Sequence, residues 1–117
     1  MYAKVVSLVT LPDKRQLLCQ TIENNISPLV EKQKGLVGFV TLISELEPRI
    51  VNVMSLWQTK SAGASYHESV FPTVLEYLQP LLAMEPVITE FNCLSNIYPQ
   101  FRIGGSAESE LYNCVQR

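Results

Sequence analysis

Four stretches of this chain are dense in apolar and β-branched residues, and each stops at a proline, a glycine or a polar cluster. They are "YAKVVSLVTL" (2–11), "LVGFVTLISEL" (36–46), "RIVNVMSLWQT" (49–59) and "PVITEFNCLSNI" (86–97). Such runs predict strands, and Pro12 ends the first because proline cannot donate to a ladder. The link "SELEPRI" between the second and third runs is short and contains Pro48, which suits a hairpin.

Between the strands the period changes to that of a helix. In "PDKRQLLCQTIENNISPLVEKQKG", Leu18, Ile22, Ile26 and Leu29 fall on one face, with Gln20, Glu23, Asn24 and Lys32 largely opposite. Asp13 is the expected N-cap and Gly35 the expected stop, and Pro28 should kink the last turns. "KSAGASYHES" predicts a short helix with Ser61 as cap and Gly63 weakening its first turn. "FPTVLEYLQPLLA" predicts a stronger one, with Pro72 at N1 and Phe71, Val74, Leu75, Leu78, Leu81 and Leu82 on one face.

The order β-α-β-β-α-α-β is that of an α+β, ferredoxin-like split βαβ fold, a four-stranded antiparallel sheet with helices on one side. Both faces of the strands are apolar: Ala3, Val5 and Val9 against Val6 and Leu8, then Leu36, Val40 and Leu42 against Val37, Phe39 and Ile43. Helices cover one face only, so the pattern calls for a second copy on the other, a homodimer. The expected domain spans residues 1–97. Residues 98–117, with Gly104-Gly105 and no long period, are expected to be a tail.

Composition narrows the function. The 117 residues are 47% hydrophobic and 17% charged, with 9 basic against 11 acidic side chains and a net charge of −2. A charge-poor surface fits a partner-covered face, and the absence of a basic excess argues against nucleic acid. "KGLVGFV" partly resembles an RNA-recognition signature but lacks its aromatic and carries an extra residue. Three cysteines without C-x-x-C spacing point to free thiols and a cytoplasmic setting. No apolar run approaches the ~18 residues of a membrane span, and the opening residues do not read as a signal peptide.

The stretch "GFVTLISE…VNVMSLWQTKSAGASYHESVFPTVLEYLQPLLAMEPVITEF" resembles the antibiotic biosynthesis monooxygenase superfamily of dimeric α+β barrels. The shared features are Gly38-Phe39 opening the second strand, Trp57 to Ala62 at the strand-to-helix joint, and Pro86 to Phe91 in the last strand. The resemblance covers roughly residues 2–96. It implies a pocket between sheet and helices for a small phenol, anthrone or quinol. The substrate's own anion would reduce oxygen there, with no cofactor and no metal. It also raises haem degradation, whose triad is an Asn on the first strand, a Trp in the short helix and a His at the next. Those places align with Ser7, Tyr66 and Leu75 (Glu76 beside it), and none matches. The polyketide-oxygenase members place an Asn four residues before the strand-ending Trp, where this chain has Val53; Asn52 faces the other way.

Candidate site residues follow. Tyr66 and His67 are the acid/base candidates: a phenol can donate to a ligand oxygen, and an imidazole suits proton abstraction. Trp57, Phe39 and Phe71 are expected as walls, and Ser7 and Asn92 as polar contacts for a small aromatic ligand. The bland readings stand beside these. Trp57 fits core packing, His67 a half-exposed helix surface, and Ser7 and Asn92 edge or dimer hydrogen bonds. No second His and no spaced carboxylate cluster offers a metal site. The alternative to an oxygenase is a non-catalytic ligand-binding or structural dimer of the same fold.

Overall fold

A computed structural model describes residues 1–94 of the protein; the expected domain boundary at 97 and the tail over 98–117 lie outside the described residues. Strand β1 (Tyr2–Val9) runs through the middle of a four-stranded sheet. It pairs antiparallel with β3 (Ile50–Trp57) on one side and β4 (Val87–Asn92) on the other, and β2 (Leu36–Ile43) flanks β3. The order β2-β3-β1-β4 is the ferredoxin-like arrangement that the sequence predicts.

The registers stack residues in rows across the sheet. Glu90, Lys4, Ser55 and Phe39 form one row on the helix-covered face, and Thr89, Val5, Met54 and Val40 form one on the other. Side chains alternate along each strand, so Leu8, Val51, Val53 and Trp57 are buried beneath the helices. A bulge between Leu36 and Gly38 breaks the alternation in β2. Two residues there oppose one on β3, so Leu36 packs on the core with Phe39, whereas sequence alternation had set it with Val40 and Leu42.

The first helical segment is not one regular helix. Helix α1 (Arg15–Thr21) passes into a π-helical turn (Ile22–Ile26) and then into α2 (Ser27–Val30). Pro28 explains the widening, since it cannot donate to Asn24 and its ring crowds that carbonyl. Leu18, Ile22 and Ile26 of the expected stripe are buried, but its last place falls to Val30, and the expected Leu29 is only half-buried. Asp13 does not cap the helix as expected. It takes a left-handed backbone (φ 64°), and Lys14 occupies the cap position without a side-chain bond.

Helix α3 (Lys60–Ser69) starts two residues earlier than Ser61 would allow as cap. Thr59 caps it, its Oγ1 accepting from the Ala62 N–H at 3.1 Å. Helix α4 (Phe71–Leu78) and a 3-10 turn (Gln79–Leu81) bury Phe71, Val74, Leu78 and Leu81, with Pro72 in the first turn where its missing donor costs nothing.

Candidate functional site

The helix-facing row of the sheet roofs a cavity under α3, α4 and the π-helical turn. Its walls are Val6, Leu8, Ile22, Ile26, Phe39, Val53, Phe71, Val74, Leu78 and Ile88, with Lys4, Ser55, Tyr66 and His67 as the only polar lining. About 470 Å³ of empty space is counted when every crevice out to the mouth is included, but the room for a molecule is about 20 Å³. The smaller figure decides what fits, and it is a single water with the walls as they stand.

Tyr66 reaches this space from the middle of α3 and is 7% exposed. Its ring lies 5.0 Å from Trp57 and 6.1 Å from Phe71, both tilted. No hydrogen bond engages its hydroxyl among the described residues. Burial alone pushes its acidity down, to a pKa of about 12, so the group is a neutral phenol and a standing donor.

Trp57 stands behind Tyr66, fully buried, with its indole N–H satisfied by Ser55 Oγ at 2.9 Å. Gly63 makes this approach possible. A Cβ there would lie 3.3 Å from Trp57 Cδ1 and 3.5 Å from Lys4 Cε, so α3 sits on the indole and on the lysine stem.

His67 is exposed at the cavity edge, its ring stacked on Phe71 at 5.0 Å. Lys4, by contrast, is 4% exposed although it is charged. Its Nζ is 3.7 Å from Glu90 Oε1, and that same oxygen accepts from the Tyr2 hydroxyl at 2.8 Å. Burial draws the Lys4 ammonium toward its neutral form, against the pull of Glu90. The Tyr2 hydrogen bond, and then Lys4, hold the Glu90 carboxyl below its usual range.

Of the residues expected at the site, Phe39, Tyr66, His67 and Phe71 line the cavity together. Trp57 is the support behind it. Ser7 is not brought there: Val6 and Leu8 point into the cavity, so Ser7 between them faces the opposite side, in a row with Val87, Asn52 and Leu42. Asn92 is exposed at the end of β4, opposite Tyr2, outside the lining. The sequence reading missed Lys4, Ser55 and Glu90. Their signal was a Lys and a Glu at inward positions of strands otherwise filled by Val, Ile and Phe. Among the described residues no three His, Cys, Asp or Glu side chains group as metal ligands, and no helix is long and apolar enough to cross a membrane.

Similar arrangements occur in solved structures. A candidate antibiotic biosynthesis monooxygenase from Nitrosomonas europaea superposes with a TM-score of 0.71 at 18% identity, over 81% of this chain and 100% of that one. One from Bordetella bronchiseptica gives 0.72 at 14% identity, over 80% and 97%. One from Deinococcus radiodurans gives 0.72 at 14%, over 84% and 97%. The chain has the fold of the antibiotic biosynthesis monooxygenases. No family model and no curated protein matches its sequence. At 14–18% identity the likeness is one of fold, which does not by itself carry a reaction.

Proposed function

We propose that the protein oxidises a small phenol, anthrone or quinol seated between sheet and helices, the substrate's own anion serving as electron donor to oxygen. The observation that carries this reading is Tyr66, whose ring is buried and whose hydroxyl opens on a largely apolar cavity with no hydrogen bond among the described residues. A hydroxyl left open at an apolar cavity is free to donate to a ligand oxygen. His67 at the edge takes the substrate proton, Tyr66 donates to the ionised oxygen, and the apolar walls exclude water. For an anthrone the balance closes: the ring CH₂ becomes a carbonyl, one oxygen atom enters the product, and the other leaves with the two hydrogens as water.

The tight interior sets a condition. A ring enters only if the mouth at His67 and Ile88, both exposed, moves aside. The small free volume is also the one observation that favours a second reading, a non-catalytic ligand-binding or structural dimer.

Oxygen uptake with dihydroquinones and anthrones separates the two. Turnover by the wild type, with a loss of roughly 10²–10⁴-fold in His67→Ala and a smaller loss in Tyr66→Phe, supports the oxygenase. Equal rates in all three proteins, or no uptake at all, would remove it.

The same proposal includes a homodimer, formed through the uncovered sheet face. That face presents Val5, Val9, Val40, Leu42, Met54, Leu56, Val87 and Phe91, with Leu42, Val87 and Phe91 exposed. At its centre the Asn52 Oδ1 is buried without a hydrogen-bond partner. A second copy would cover the apolar surface and offer that oxygen a donor.

A further inference from the structure

The cavity has a property beyond its apolar walls: three of its polar side chains have donors to spare. Tyr66 offers an O–H, and Ser55, whose oxygen already accepts from Trp57, has its own hydroxyl proton to give. Lys4 offers an ammonium with three N–H groups. Among the described residues its carboxylate partner is Glu90, at 3.7 Å, well beyond the roughly 2.7–2.9 Å of a charge-assisted hydrogen bond. Glu90 is also a poor fixed partner: its side chain is 50% exposed, and its near oxygen is held by the Tyr2 hydroxyl.

A buried charge that is loosely paired costs free energy, and the fold retains it here on its central strand. Lys4 cannot turn to solvent readily. Ser55 and Glu90 flank it in the sheet, and α3 lies close over its stem because position 63 has no side chain.

We propose that Lys4 is the anion-binding group of this cavity, its ammonium exchanging Glu90 for the ionised oxygen of an aromatic ligand. The inference rests on reading the cavity as a ligand site. It adds the ligand's charge: a phenolate or an enolate is held, and the neutral phenol is not. Glu90 is then the competitor that occupies Lys4 when the cavity is empty. The charged and titratable groups around the pair are Tyr2 on β1, Lys60, Tyr66 and His67 on α3, and Glu90 itself on β4.

A nitrophenol tests this without turnover, because its anion is yellow and its acid form is not. Bound to the full 117-residue chain, the dye should ionise about one pH unit or more below its free midpoint, an anion preference of about tenfold. Lys4→Met should abolish the downward shift or the binding, with the fold checked by circular dichroism. Glu90→Gln, at a half-exposed position and with its fold checked in the same way, should tighten the anion by about threefold or more by freeing Lys4. A wild type that binds no dye or binds it neutral, a Lys4→Met protein that keeps the shift, or a Glu90→Gln protein with equal or weaker affinity would each overturn the proposal. Oxygen uptake is read separately. Anion binding without uptake keeps Lys4 in this role and removes the oxygenase; uptake indifferent to Lys4→Met does the reverse.

Discussion

Trp57 donates its indole N–H to Ser55, two residues back on the same face of β3, and both are buried beneath α3. The pair fixes the wall behind Tyr66: the serine satisfies the indole, the indole supports the phenol ring, and Gly63 lets the helix close over them. A buried N–H costs more when stranded than the hydrogen bond contributes when made. Ser55→Ala should therefore destabilise the protein by about 1–3 kcal/mol, read by urea unfolding followed through Trp57, the only tryptophan of the chain. A change within about 0.5 kcal/mol would mean that the indole finds another acceptor.

Gly35 should tolerate no side chain, for two separable reasons. Its φ is +86°, and a Cβ would stand 2.6 Å from the Ala62 Cβ at the start of α3. The backbone term alone is about 1–2 kcal/mol, so Gly35→Ala should cost more than that. Adding Ala62→Gly removes the collision and leaves the backbone strain. A double-mutant cycle in chemical denaturation should show a favourable coupling between the two sites, and strict additivity would show that the collision is relieved elsewhere.

Alkali should reveal Tyr66. Its folded pKa, about 12, lies above the unfolded value near 10. The folded state holds this proton more tightly, so the stability it contributes is complete below pH ~10 and is lost as pH rises toward ~12. The amount is roughly 2–3 kcal/mol for a shift of this size. Tyr66→Phe cannot titrate, so its unfolding free energy should fall less than that of the wild type between pH 10 and 12. Parallel curves would place the hydroxyl in water.

The assembly is tested at the middle of the bare sheet face, where Val5 pairs with Met54 and Thr89. A charge at Val5 leaves the helix-covered core untouched but would lie against the partner. Val5→Asp should convert the dimer to a folded monomer in sedimentation analysis while keeping its circular dichroism. A wild type that sediments as a monomer would remove the dimer from the proposal.

The local pattern of residues determined the order of strands and helices, the apolar stripe through Leu18, Ile22 and Ile26, and the double-faced character of β1. Each of these repeats over several neighbouring residues and accumulates signal along the chain. It was the resemblance to the monooxygenase family, and not period alone, that pointed to Phe39, Tyr66, His67 and Phe71 as one group. The pattern did not locate the bulge that turns Leu36 inward, the Thr59 cap, or the orientation that takes Ser7 away from the cavity. Nor did it place Lys4 beside Glu90, 86 positions apart in the chain and adjacent in the sheet. Those features depend on inter-strand register and on how closely α3 approaches the sheet, which are fixed when distant segments fit against one another. The interior volume belongs with them. The same Leu, Val and Phe composition is compatible with a chamber or a packed core, and the packing of helices on the sheet left room for one water.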